Sequence, residues 1–241
     1  MTRSPEAADR SGRWLGSMAA LLGRAQRAVR SVIVPIGDVA AAVPKGHRLI
    51  DIGCGEGLVL ERVLARADEI VGVDLDARKI AFARSRLAAA AHVRLHHGDA
   101  FAFLAAQRDA SVSTVLLVDT LSALQVRAQD RLLEETVRVL EPGGTLVLKL
   151  MDASPRWKAA LSRALSTLVC AGFRMSLSDG QRFTYRSSAE LLELLVAAGT
   201  SVEVRHLHAE RHHPLPHVLL LARRMGAPRR SPDAAARRSL S

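Results

Sequence analysis

Short apolar runs alternate with helical patterns from residue 46 to residue 200, and that alternation leaves few folds open. The runs are 48–52 (RLIDI), 69–73 (EIVGV), 92–96 (HVRLH), 113–118 (STVLLV) and 144–150 (GTLVLKL). Apolar residues recur at three- and four-residue intervals over 57–66, 77–90, 126–140, 155–171 and 188–198, the mark of helices with one buried face. Strand–helix–strand crossovers of this kind build a parallel sheet with helices on it. The fourth and fifth runs are continuously apolar, as expected of central strands covered on both faces. Two late runs, 201–207 and 217–222, are joined by a loop and not by a helix, so they are expected to pair antiparallel. The chain is therefore expected to be α/β: a doubly wound, mostly parallel seven-stranded sheet with an antiparallel last strand and helices on both faces.

Three regions follow from the same pass. Residues 1–36 form an N-terminal extension, in which Trp14, Met18, Leu21, Leu22, Ala25, Val29 and Val32 give an amphipathic helix over 11–34. Residues 37–224 form the α/β domain, and 225–241, rich in Arg, Ala and Ser, reads as a flexible basic tail. The 241-residue chain suits one such domain, and with 3% aromatic residues its core must come from Leu, Val and Ala. No apolar run is long enough to span a membrane, and Arg24, Arg27 and Arg30 interrupt the apolar stretch near the N-terminus, unlike a signal peptide. A cytoplasmic location is expected, with peripheral membrane contact by the basic helix left open. Cys54 and Cys170, the two cysteines, can make neither a disulfide framework nor a four-cysteine zinc site. A net charge of +10 allows a nucleic-acid partner without favouring one, because the arginines are scattered and many lie near the ends.

The first run ends in a carboxylate and turns on alternate glycines: "DIGCGEG", residues 51–57. In open α/β sheets ligands bind beyond the strands' carboxyl ends, and glycines there let the backbone approach closely and take positive φ. A dinucleotide fingerprint, G-x-G-x-x-G, would put its third glycine at 58, where Leu58 stands. It would also bring a pyrophosphate close to Asp51, which would repel it. A ligand carrying a cationic group fits Asp51 better.

D-x-G-x-G-x-G after the first strand resembles motif I of the class I S-adenosylmethionine-dependent methyltransferases, and four further segments follow in that family's order. These are "VGVDLD" with Asp74, "HHGDAF" with Asp99, "VLLVDTLSAL" with Asp119 and Thr120, and "VLEPGGTLVLKLMD" with its Pro-Gly-Gly turn. The resemblance covers 46–222. It implies S-adenosyl-L-methionine as cofactor, with Asp51, Gly53, Cys54, Gly55 and Gly57 around its methionine part, Asp74 and Leu75 at the ribose, Asp99 and Ala100 at the adenine, and Asp119 at the edge. Asp76 is expected to cap the next helix. Cys54 fills a variable position and is given no chemistry.

The implied reaction passes a methyl group to an acceptor, and depends on alignment and on keeping water out. A general base is needed only if the acceptor carries a proton, and histidine is the obvious source. His97 at the end of the third strand and His217 at the start of the last are the candidates. Five histidines gather between 206 and 217, but no carboxylate or cysteine pattern accompanies them, so no metal site is expected. The resemblance puts acceptor-binding parts in 11–36 and 152–187. The second carries Trp157, Leu161, Leu165, Leu168, Phe173, Phe183 and Tyr185 among arginines. That composition suits a small hydrophobic, phenolic or acyl acceptor. An RNA or protein acceptor, and a cofactor-binding accessory protein without turnover, are the alternatives.

Overall fold

The computed structural model describes residues 35–152, 183–207 and 217–226. The expected helices at 11–34 and 155–171, Cys170, and His208, His212 and His213 lie outside the described residues. In chain order the elements are α1 (Ile36–Ala42), β1 (Gly46–Ile52), α2 (Leu58–Val63) with a 3-10 turn (Leu64–Arg66), β2 (Ala67–Asp74), α3 (Ala77–Arg86), β3 (Val93–His97) and α4 (Ala100–Ala105). There follow β4 (Val112–Val118), a second 3-10 turn (Leu121–Ala123), α5 (Val126–Val139), β5 (Leu140–Met151), α6 (Ser188–Ala197), β6 (Thr200–His206) and β7 (His217–Arg224).

The strands form a seven-stranded sheet in the order β3-β2-β1-β4-β5-β7-β6. β1 pairs parallel with both β2 and β4, and β7 runs antiparallel between β5 and β6. This is the expected α/β arrangement. The order steps outward from β1 to β3 and then reverses to β4, so the crevice between the carboxyl ends of β1 and β4 is where such a sheet holds ligands.

Neighbouring residues on a strand face opposite ways, and each face of the sheet has its own core. On one face Ile50, Ile52, Val115 and Leu117 pack with Leu132 and Leu133 of α5 and Leu191 and Leu195 of α6. On the other Leu49, Ile70, Leu116 and Val147 pack with Val39 of α1, Leu60 of α2 and Ile80 of α3. This double cover is why β4 and β5 carry continuous apolar runs; each buried Leu, Ile or Val contributes about 1.5–3 kcal/mol. Asp76 caps α3 as expected, its side chain accepting from the amides of Arg78 and Lys79.

Three departures from the sequence reading bear on the site. The short helices α1 and α4 were not anticipated. Ile36, Val39 and Ala40 of α1 are buried, and α1 spans the residue at which the α/β domain was expected to begin. The strand expected at 144–150 starts at Leu140, because the Pro142-Gly143-Gly144 turn sits inside it as a bulge. Leu140 pairs with Val112 and Thr145 with Thr114, so the residues between bulge out. Gly143 takes φ +85°, and Gly144 lies so close to the carbonyls of Glu141, Ser113 and Val112 that a side chain would collide with them. Among the described residues no helix is long and apolar enough to cross a membrane.

Candidate functional site

The glycine loop sits at the end of β1 with Gly53, Gly55 and Gly57 all at positive φ, +78°, +55° and +75°. Its first amides are already occupied. Gly53 and Cys54 donate to the Val73 carbonyl at 2.7 and 3.0 Å, and Gly55 donates to Asp74 Oδ2 at 2.8 Å. A phosphate would need such amides free, and it would face two carboxylates. Gly53 is fixed by packing as well as by conformation: an added Cβ would lie 2.4 Å from Thr120 Oγ1. Thr120 is itself anchored, donating to the Ile52 carbonyl at 2.9 Å, so β4 is stitched to the loop at this point. Gly55 faces open space, with nothing within 4 Å of an added Cβ.

Gly53→Ala is therefore expected to lower stability by about 2–4 kcal/mol, from a left-handed alanine plus a collision with a stiff β-branched side chain. Denaturant unfolding measures it; a loss under about 1 kcal/mol would mean that Thr120 moves aside freely.

Asp51 lies beneath the loop. It is 2% exposed, and its Oδ1 has no hydrogen-bond partner among the described residues. Burial first, and the Asp74 charge second, push its carboxyl up to about 7. An unpartnered buried carboxylate costs free energy unless a cation or donor reaches it. Cys54 turns away from the loop's open side. It is buried near Gly72, and burial together with the Asp51 charge pushes its thiol well up, so it remains a neutral packing group.

Asp74 ends β2 with both oxygens engaged: Oδ2 takes the Gly55 amide, and Oδ1 takes the Asp76 amide at 2.8 Å. It braces the loop before any ligand is considered. Leu75 beside it is 72% exposed, an apolar side chain offered at the rim. Gly98 donates to the Asp74 carbonyl at 3.1 Å, which brings the end of β3 to the same rim. There Asp99 caps α4 through Ala102, its carboxylate exposed, and Ala100 packs against the core. His97 Nε2 lies 3.1 Å from the Leu75 carbonyl, so this candidate base sits at the β2–β3 rim, away from β4 and β5. His217 starts β7 opposite Met151 and is buried at the end of β5.

On the other side of the loop, Asp119 follows β4. The sequence placed it at the cofactor's edge; the structure joins it to Lys149 of β5, whose Nζ donates to both its oxygens at 2.7 Å. Lys149 was missed, although the sequence held a signal: it is the one charge in an apolar strand run. Asp119, Lys149, Ser122, Met151 and Tyr185 line a cleft at the ends of β4 and β5. Its outer wall is strapped down. Buried Gln129 donates to the carbonyls of Leu121, Leu124 and Thr184 at 3.0 Å each, and Arg186 pairs with Asp130. Among the described residues no three His, Cys, Asp or Glu side chains come together as metal ligands.

Residues 49–144 match a family model described as a methyltransferase domain. A ubiquinone biosynthesis O-methyltransferase of Leptothrix cholodnii is 22% identical over 172 residues, 70% of this chain and 70% of that protein. Ribosomal RNA small subunit methyltransferase C of Chromohalobacter salexigens is 32% identical over 117 residues, 47% of this chain but only 35% of that protein. A solved S-adenosylmethionine-dependent methyltransferase from Methanosarcina mazei superposes with a TM-score of 0.57 at 17% identity, over 76% of this chain and 94% of its own. Residues 49–144 carry a methyltransferase domain in the class I fold, and the chain is an S-adenosylmethionine-dependent methyltransferase. The methyltransferase uses S-adenosylmethionine, which when bound supplies an electrophilic methyl on a sulfonium centre.

The site fits that cofactor by its own chemistry. The orphaned Asp51 oxygen suits an ammonium or a water on it, the bare Gly55 leaves room above the loop, and the Gly53, Cys54 and Gly55 amides, turned inward, are not free for a phosphate. Asp51 and the glycines would hold the amino-acid part, Asp74 the ribose and Leu75 with Asp99 the base.

Proposed function

We propose that the methyltransferase acts on a small, hydrophobic phenolic or acyl acceptor seated in the cleft at the ends of β4 and β5. One observation carries this reading. The cleft sets the apolar side chains of Leu121, Leu150, Met151 and Leu191 and the Tyr185 ring beside the Asp119–Lys149 pair and Ser122. Apolar walls with a few convergent polar groups are what a small-ligand pocket needs. The relative that matches over 70% of its own length methylates oxygen in ubiquinone biosynthesis, which points the same way. In this arrangement the loop and Asp51 bind one end of the cofactor and Asp74 orients its ribose. Gln129 and Arg186 hold the outer wall of the cleft in place.

RNA is the second reading. It is favoured by the ribosomal RNA methyltransferase relative, and the net charge of +10 allows it. Transfer of labelled methyl from the cofactor to a metabolite extract and to total RNA separates the two. The proposal expects label in the small-molecule fraction, with a rate that changes less than about threefold between 50 and 300 mM salt. Label in RNA, with affinity falling steeply as salt rises, would replace it.

A further inference from the structure

Lys149 is 1% exposed, in a strand whose other inward residues are aliphatic. Replacing a buried ion pair with well-packed apolar side chains often leaves stability unchanged or improves it, so packing alone gives no reason for this charge. The Lys149 ammonium is committed to Asp119, donating to both carboxylate oxygens at 2.7 Å, while the Asp119 amide donates back to the Lys149 carbonyl at 3.0 Å. The two residues thus clasp twice across the ends of β4 and β5. Asp119 holds φ at +59°, left-handed backbone that side chains seldom adopt away from functional positions. Its side chain nevertheless remains 31% exposed, facing the cleft with Ser122 and Tyr185. Each carboxylate oxygen has two lone-pair sites, so binding Lys149 leaves room for another donor.

We propose that Asp119, aimed by Lys149, accepts the acceptor's hydrogen bond and takes its proton during methyl transfer. The acceptor is then a hydroxyl compound, Asp119 a catalytic residue and Lys149 a positioning residue; the assignment rests on the small-acceptor reading above. The acceptor's O–H bond breaks and its proton passes to an Asp119 oxygen. An electron pair of the acceptor oxygen forms the bond to the methyl carbon, and the carbon–sulfur pair stays on sulfur, leaving a neutral thioether. A carboxylate is a weak base, but a weak base suffices here. As the oxygen gains the methyl group its remaining proton becomes strongly acidic, and a fixed acceptor beside it removes that proton without delay. Before that, the hydrogen bond to Asp119 turns a lone pair of the hydroxyl toward the incoming methyl, which is the alignment the reaction depends on.

The test uses two probes of similar shape: catechol, which carries its protons at about pH 8, and thiophenol, which at that pH is largely an anion with no proton to lose. Asp119→Asn is expected to slow labelled-methyl transfer to catechol by about 100-fold or more and to thiophenolate by less than about tenfold. Calorimetry should show S-adenosylhomocysteine affinity within about threefold of the natural protein, with catechol binding to that complex weakened by about tenfold. Lys149→Met should show the same split between acceptors, which a purely structural role would not produce. An equal loss on both probes, an unchanged catechol rate, or a loss of S-adenosylhomocysteine binding alone would overturn the proposal. If the natural protein binds S-adenosylhomocysteine but methylates neither probe, the small-acceptor reading fails, and the proposal with it.

Discussion

Asp51→Asn stabilises the cofactor-free methyltransferase at pH 8 and weakens its hold on the cofactor. The stability arm follows from burial. Asp51 has no partner for Oδ1 and titrates near 7 in place of its ordinary 3.8. Through that range the folded protein holds a proton that the unfolded chain has released, so stability falls as pH rises. The contribution is fully present below about pH 4 and gone above about pH 7. A shift of about three pKa units corresponds to about 4 kcal/mol. Asparagine removes the ionisation but brings an amide that lacks partners of its own, at a cost of about 1–3 kcal/mol. The net gain at pH 8 is about 1–3 kcal/mol, a rise of several degrees in melting temperature for a chain of this size. At pH 5, where Asp51 is already neutral, the gain disappears. The binding arm is a loss of about 2 kcal/mol, roughly 30-fold in S-adenosylhomocysteine affinity, as one charge-assisted contact goes. Melting curves at pH 5 and pH 8 check the first arm. Equal stability of variant and natural protein at pH 8 would mean that Asp51 has a partner when the site is empty.

Asp74→Ala is expected to lower cofactor affinity by about 100-fold, or about 3 kcal/mol. The residue does two things at once. Its carboxylate holds the Gly55 amide, and so the loop, and it carries the proposed hydrogen bonds to the ribose. Alanine removes both and leaves the Gly55 and Asp76 amides to water, at about 1.5–3 kcal/mol for a charged hydrogen bond. Asp74→Asn keeps only one accepting oxygen for two backbone donors, so it is expected to fall between alanine and the natural residue. Calorimetry with S-adenosylhomocysteine and separately with adenosine divides the effect. A ribose contact weakens both ligands, whereas a loop brace alone weakens the amino-acid half and leaves adenosine nearly unchanged. Full affinity in the alanine variant would remove Asp74 from the site.

The sheet was legible because its strands announce themselves: 113–118 and 144–150 could hardly be buried in any other way. Two helices escaped for a physical reason. At six and seven residues, α4 (AFAFLA) and α1 (IGDVAAA) are too short for a 3.6-residue period to stand out from alanine, and Gly37 in the first turn of α1 reads as a breaker. The carboxylates were also legible, but not their employment. Asp74 reaches Gly55 across 19 positions only because β1 and β2 lie side by side, and Asp99 is a helix cap as well as a rim residue. Lys149 shows the opposite error. A strand judged by its apolar average hides its one charge, and only the pairing of β4 with β5 reveals that Asp119 is waiting beside it.

A cofactor whose cationic end rests on the 51–57 loop over Asp51 must displace a proton when it binds. Calorimetric titration of S-adenosylhomocysteine at pH 7, repeated in buffers that differ in ionisation enthalpy, tests it most directly. An Asp51 carboxyl half-protonated near 7 must lose its proton when an ammonium arrives. About half a proton is expected to be released per molecule bound, falling toward zero at pH 8.5 and absent in Asp51→Asn. Binding with no proton release at pH 7, or NAD binding in place of S-adenosylhomocysteine, would contradict it.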